Sequence, residues 1–319
     1  MKTTINFFFL CLVPFLINGQ TDTQIHAVFE TLEQFPKVRD IAISNRGDEA
    51  FITVQSPLGE VSVLLQMRYV DGLWKATEIL PFSGKYQDME PFLSANNLTL
   101  YFASNRPLSS KDTIVKDFDI WKVERKNLKS SWGKPINIGA PVNTKYNEFY
   151  PSLSANDNMY FTSDQPSDLG KDNIWVSQKI KQGYTRPIIL PKTINSDGYE
   201  FNAFIALDES YLIFSGYNRK EGMGSGDLYI SFKTKNGSWA IAKNLGEGIN
   251  SPAMDYCPFV DEKNKTLYFT SKRSSYKKVN NFRSLEKLMR ALNKNKNGQS
   301  RVYKVSMEDS SFFKKNKRQ

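Results

Sequence analysis

The sequence predicts an all-β fold, a single β-propeller of four-stranded antiparallel blades, with five blades favoured over six. Three observations carry this. A motif recurs along the 319 residues: DMEPFLSANNLTLYFASNR at 88–106, EFYPSLSANDNMYFTSDQ at 148–165, EFNAFIALDESYLIFSGYNR at 200–219 and DYCPFVDEKNKTLYFTSKR at 255–273. A weaker copy, RDIAISNRGDEAFITVQS at 39–56, aligns with 89–106 without a gap. Each copy is followed by further strand-like segments, and the copies start roughly 50 to 60 residues apart, close to the period of a propeller blade.

Each copy opens with an acid and a short apolar strand, turns through Asn, Asp, Ser or Gly, and returns as an alternating strand rich in Tyr, Phe and Leu. That is the pattern of a tight β-hairpin. A third strand follows as DIWKVER at 119–125, NIWVSQK at 173–179, DLYISFK at 227–233 and RVYKVSM at 301–307. A fourth, headed by Trp or Tyr, reads WGKPINI at 132–138, YTRPIIL at 184–190 and WAIAKNL at 239–245, with Trp74 marking the same place in the first unit. A β-sandwich also has many short strands, but it does not require each strand quartet to repeat its own sequence.

The first unit starts at its innermost strand and the last ends at its third, so the fifth blade lacks an outer strand adjacent in sequence. Residues 24–38, QIHAVFETLEQFPKV, are expected to supply it and close the ring. Five blades then use the whole chain, whereas a sixth would need material that the residues before Val38 and the short tail do not provide. The expected organisation is a signal peptide at 1–19, a closing segment at 20–37, a propeller at 38–307 with a helical insertion at about 276–299, and a basic tail at 308–319. Within the insertion, FRSLEKLMRALN at 282–293 places Phe282, Leu285, Leu288, Met289 and Leu292 at helical spacing, an apolar stripe expected to dock on the propeller, with a partner-binding helix as the alternative.

The first residues carry Lys2, an apolar run from Ile5 to Ile17 and then Asn18-Gly19-Gln20, the layout of a secretory signal. The run is about 13 residues where a bilayer span takes roughly 20, so a soluble exported protein, periplasmic or extracellular, is expected without a transmembrane segment. Removal of the signal would leave Cys257 as the only cysteine, so no intramolecular disulfide is expected. The formal charge is +10, but residues from Lys272 onward hold 15 Lys/Arg against 3 Asp/Glu, which leaves the preceding 271 slightly acidic. The basicity is therefore no evidence for nucleic-acid binding by the body of the chain. The terminal KKNKR at 314–318 reads as a solvated tail or as an electrostatic tether to an anionic surface.

The succession acid, Pro, apolar, Ser, turn, Leu-Tyr-Phe, Ser, then Asp-Ile-Trp resembles the WD-like propeller repeat of TolB and of many exported bacterial envelope proteins. The resemblance covers nearly all of 38–307 and implies the fold and an envelope setting. It is expected to depart from TolB in having no N-terminal α/β domain, and it reads Ala-Asn-Asn, Ala-Asn-Asp or Leu-Asp-Glu where that family has Pro-Asp-Gly.

Asp88 with Glu90, Glu148, Glu200 and Asp255 precede or open the innermost strand of successive units, and Arg106, Arg219 and Arg273 follow the second strand. Both places lie on one rim of the central channel of a propeller. The acids and arginines are expected either to latch the blades by ion pairs or to form a recognition face for a ligand. Asp119, Asp172 and Asp227 are expected to cap loops, and the aromatic residues at 121, 132, 175, 184, 229 and 239 to pack between blades. His26 is the sole histidine, so neither a Ser-His-Asp set nor a histidine-rich metal site is available, and Cys257 reads as a small buried apolar residue. No catalytic residue, metal or cofactor is expected. The function expected is therefore a non-catalytic binding or scaffold propeller for an envelope protein, peptide or glycan. The alternative is a propeller-fold carbohydrate-active enzyme, a glycoside hydrolase or lyase, which needs two carboxylates about 5 to 10 Å apart.

Overall fold

The computed structural model describes residues 24–308 apart from 110, 113 and 170, so the signal at 1–19 and the tail from 309 lie outside the described residues. Five four-stranded antiparallel sheets make a five-bladed propeller. The innermost strands are Lys37–Ile43, Asp88–Leu93, Glu148–Leu153, Tyr199–Ile205 and Asp255–Asp261, one per blade in chain order. The strand His26–Ala27 pairs antiparallel with Arg301–Ser306 as the outer strand of blade five, which joins the two ends of the propeller.

The hairpins close through type I-like turns followed by a left-handed residue, the geometry that suits the right-handed twist of the strands. Gly47, Asn97, Asp157 and Glu209 hold that position in blades one to four, with φ of 76°, 60°, 58° and 57°. Their amides bond back to Ser44, Ser94, Ser154 and Ala206 carbonyls at 2.8–2.9 Å. Glycine is therefore used once and polar residues tolerate the strain elsewhere.

Each boundary between blades is filled by its own apolar cluster. Phe51 and Leu64 of blade one meet Leu100, Phe102 and Trp121 of blade two. Phe92 and Ile120 meet Phe161 and Trp175, and Tyr160 and Ile174 meet Phe214 and Trp239. Leu228 and Ile230 meet Phe269 and Tyr303, and Tyr268 and Val302 meet Ile41 and Ile52 across the closure. Burial of a large apolar side chain stabilises by about 1.5–3 kcal/mol, so these five seams hold the blades together, and Cys257 is a free thiol.

The helix Leu285–Asn293 sits between the second and third strands of blade five and is capped by Ser284, which accepts from the Lys287 amide. Its apolar stripe does not dock as expected: Leu285 is 74% exposed, and Met289 and Leu292 about half, while only Ala291 is buried. The segment is tied down by polar bonds instead, Tyr276 Oη donating to the Ala291 carbonyl at 2.7 Å and Asn295 donating to Glu33 at 3.0 Å. No helix among the described residues is long and apolar enough to cross a membrane.

Candidate functional site

Two rings of residues surround the channel, two positions apart on the inner strands. The first is Val38, Asp88, Glu148, Glu200 and Asp255. Arg106 donates to Asp88 at 2.5 Å, Arg219 to Glu200 at 2.8 Å and Arg273 to Asp255 at 2.8 Å, each within one blade and with the acid fully buried. The same arginines also donate to the Phe82, Ile194 and Ile249 carbonyls of the loop that enters the blade. In blade four the arginine crosses above Gly216, where a Cβ would lie 3.0 Å from the Arg219 side chain and 2.9 Å from the Tyr229 ring. Blade three has Gln165 where blades two and five have arginine, and Glu148 is held by Thr144 Oγ1 at 2.6 Å and the Thr144 amide at 3.1 Å. Burial pushes its carboxyl up to about 8, against the lowering effect of the Thr144 bonds and with help from Asp119 and Asp117.

The second ring is Asp40, Glu90, Tyr150, Asn202 and Cys257, and it does not repeat. All five have left-handed backbones, with φ between 49° and 60°. Each sits where the register between the first two strands shifts, at a β-bulge. The bulge amides of Asp40, Glu90 and Asn202 donate to threonines of the preceding blade, Thr270, Thr53 and Thr162, at 3.0–3.1 Å. Blade two has Ala103 at that threonine position, and there the Tyr150 amide donates to Glu90 Oε2 at 2.8 Å. Bulges of this kind re-aim side chains and recur beside active sites.

Arg39 joins the ring together. It donates to Asp40 at 2.8 Å, to Glu90 at 2.7 Å and to the Cys257 sulfur at 3.3 Å. Asn202 donates to Glu90 at 3.1 Å, and the thiol donates to Asn202 at 3.4 Å. Tyr150 Oη reaches across to the Pro258 carbonyl at 2.9 Å. One oxygen each of Asp40 and Glu90 and the sulfur of Cys257 lie within 4.8 Å of one another. These three donors could hold a cation, but the Arg39 guanidinium already bonds to all of them.

Burial raises the Glu90 carboxyl to about 7, opposed by Arg39 and assisted by Asp40. A carboxyl there changes charge near neutral pH, as a general acid must. Burial also pushes the Cys257 thiol up, with Asp40 acting in the same direction, so the sulfur stays protonated and is no nucleophile. Arg39 is held well above its ordinary value because Asp40, Cys257, Tyr256 and Glu90 together outweigh its burial. Around the ring Tyr150, Tyr256 and Cys257 pack with half-buried Phe149, Phe201 and Met254. The hairpin end of the channel is a 150 Å³ recess where Ile43, Phe92, Leu153, Phe204 and Phe259 stand beside Asn45, Asn97, Asp261 and Glu262, so it is more apolar than the polar end around Arg39.

Of the residues singled out from sequence, Asp88, Arg106, Glu200, Arg219, Asp255 and Arg273 stand in three separate pairs, and Glu148 stands apart from any arginine. Glu90 occupies a different place from Asp88, two residues on and in the channel, and it alone of the eight contacts the Arg39 cluster. Arg39, Asp40, Tyr150 and Asn202 were missed. The readable signal was the column two after Val38 and after each of the four acids, which runs Asp, Glu, Tyr, Asn, Cys. Cys257 is buried as expected, but among polar partners. Also missed were Asn143, Asn195 and Asn250, each five residues before an acid, whose side chains bond both the amide and the carbonyl of Ile120, Ile174 and Leu228 at 2.8–3.0 Å.

Neither a protein-family model nor a curated protein sequence matches the chain. Its fold is similar to solved propellers. The catalytic domain of a GH62 α-L-arabinofuranosidase from Coprinopsis cinerea superposes with a TM-score of 0.52 at 9% identity, over 89% of this chain and 97% of that one. A thermostable family-43 glycoside hydrolase gives 0.48 at 9% identity, over 86% and 91%. A protein assigned as TolB from Agrobacterium tumefaciens gives 0.48 at 10% identity, over 77% and 76%. At these identities the likeness is one of fold. Because the same fold carries that GH62 catalytic domain, the propeller gives no ground for a non-catalytic binding or scaffold protein, and the expectation of no enzyme is corrected to that extent. The repeat symmetry behind that expectation belongs to the latch acids, whereas the channel carboxylates do not repeat.

Proposed function

We propose that this chain is an exported carbohydrate-active propeller, a glycoside hydrolase that acts at the polar end of its channel with Glu90 as proton donor and Asp40 as its partner carboxylate. The observation that carries the reading is the pairing itself: two buried carboxylates from neighbouring blades, with oxygens within 4.8 Å, one of them raised to about 7. The GH62 domain that shares the fold is an α-L-arabinofuranosidase, which makes furanosidic linkages one class to try. Sharing the blade grammar of TolB-like repeats fits the same chain, since a repeat fixes the scaffold and leaves the channel free to vary.

Carboxylate oxygens within 4.8 Å of one another suit a double displacement better than direct attack by a water, which needs carboxyl groups about 6.5–9.5 Å apart. In that scheme a sugar at the mouth takes over bonds now made by Arg39. Glu90 gives its proton to the glycosidic oxygen as the C1–O bond breaks, and Asp40 forms a bond to C1. Glu90, now ionised, then takes a proton from water, whose oxygen attacks C1 and frees Asp40. Asn202 holds Glu90 at 3.1 Å throughout, so the acid keeps its position in both steps.

The test is hydrolysis of a panel of arabino-, xylo- and galacto-oligosaccharides and pectic fragments. Turnover of one of them, with retention of anomeric configuration by NMR, is expected. Glu90→Gln and Asp40→Asn should each lower kcat at least 100-fold, within the ordinary worth of a general acid. No product from any substrate, or activity that survives both substitutions, overturns the proposal. The export component predicts a mature N-terminus near Gln20, measured on secreted protein; retention of Met1 would remove it.

A further inference from the structure

We propose that the mouth of the channel binds a sugar carrying a carboxylate, a uronate residue, through Lys272 and Arg39 with Lys37 beside them. The proposal rests on the glycan-directed reading of the site and names the substrate class.

Three cations from two blades meet at this mouth. Lys37 and Arg39 are two apart on the inner strand of blade one, so they share a face of that strand. The start of the strand is held in place by Arg301, which donates to the Pro36 carbonyl at 2.9 Å. Lys272 is the residue after the second strand of blade five, and its amide is fixed to the Met254 carbonyl at 2.9 Å. The Arg39 guanidinium lies 5.3 Å from the Tyr256 ring centre and the Lys272 ammonium 5.9 Å from it, so one ring carries both charges.

Only one of the three is neutralised. Arg39 is engaged by Asp40 and Glu90, whereas neither Lys37 nor Lys272 forms an ion pair among the described residues. Lys37 acts on the Glu60 carboxyl only as the weakest of several influences. Burial lowers the Lys272 ammonium, and Lys37 and Arg39 lower it further, the mark of a half-buried cation in a positive field. An anion placed there relieves that repulsion. Half-buried Phe149 and Phe201 beside Tyr256 and Cys257 add apolar surface for the face of a sugar ring, and Arg39 keeps 14% of its side chain exposed, so it is reached from the mouth.

A carboxylate bound by Lys272 and Arg39 would have its sugar ring directly above Asp40 and Glu90. The ligand anion would then replace one of those carboxylates at the guanidinium, leaving the Glu90 proton available to the glycosidic oxygen.

Binding is measured by calorimetry on full-length Glu90→Gln protein, with an oligogalacturonate, its methyl ester and a neutral galacto-oligosaccharide of equal length. The free acid is expected to bind about tenfold more tightly than the ester. Lys272→Gln should remove that preference and leave the neutral ligand unchanged, while Lys272→Arg should restore it. The basic tail is the same in every variant, so attraction to it does not imitate a Lys272 effect. Equal affinity for acid, ester and neutral sugar overturns the proposal, as does an equal loss for all three in Lys272→Gln. Because the readout is binding, absence of hydrolysis overturns the catalytic reading and not this one. Hydrolysis of neutral glycans without a preference for the acid overturns this one alone.

Discussion

The two rings around the channel are built from the same strands, two residues apart, yet they obey different rules. In the outer ring, blades two, four and five solve one problem in one way, a buried acid and an arginine of the same blade. In the inner ring no two residues are alike, and Asp40, Glu90, Tyr150, Asn202 and Cys257 make one connected network with Arg39. A repeated contact is what a repeated blade needs. An unrepeated one requires a cause outside the blade, and five strained bulge positions filled by five different polar or polarisable side chains point to chemistry at the centre.

Removing the charge that serves both inner-ring carboxylates should have the largest effect. Arg39→Gln leaves Asp40 and Glu90 together without their cation, and breaking a buried pair costs about 3–5 kcal/mol. Thermal denaturation should show a lowered Tm, with a smaller drop when Asp40→Asn is added, because the second change removes the carboxylate left without its partner. Equal drops would mean that the network is not coupled through Arg39.

The outer ring should respond next. Arg106→Gln strands Asp88 in blade two alone, and combining it with Asp88→Asn should cost less than the sum by roughly 0.5–3 kcal/mol. Catalysis should be unaffected at temperatures where the double variant is folded. Strict additivity would deny the latch.

Blade three tests the comparison from the other side, since its acid has no arginine. Glu148 sits near 8 against an ordinary value of 4.5, so the folded protein binds that proton more tightly than the unfolded chain does. Stability from this group is present below about 4.5 and is lost as pH rises toward 8. Glu90 adds a slope of the same sign, complete near 7. Urea denaturation from pH 5 to 9 should therefore show a decline that Glu148→Gln makes shallower. Gln165→Arg, which puts a latch where blades two and five have one, should remove that part of the decline with a smaller gain, about 1 kcal/mol. An unchanged profile in both variants would mean that Glu148 is ionised throughout.

The fold was legible because a propeller repeats its instructions. Five hairpin copies, turn residues at fixed places and Trp or Tyr before the fourth strand each point to the same blade, and the closing segment follows from where the last copy stops. The columns of acids and downstream arginines were legible for the same reason, although the sequence did not say whether they would pair within a blade or between blades. What the sequence alone could not assign was which member of a dense motif leaves the blade. Asp88 and Glu90 look alike as DMEPF, but a bulge at Glu90 sends one acid into its own sheet and the other into the channel. Nor could sequence bring Arg39 to Cys257, 218 residues away, because that contact exists only once blade one closes against blade five. Local propensity and repetition determine the strands and their partners within a blade. Ring closure determines which side chains face one another across the axis, and the candidate chemistry lies there.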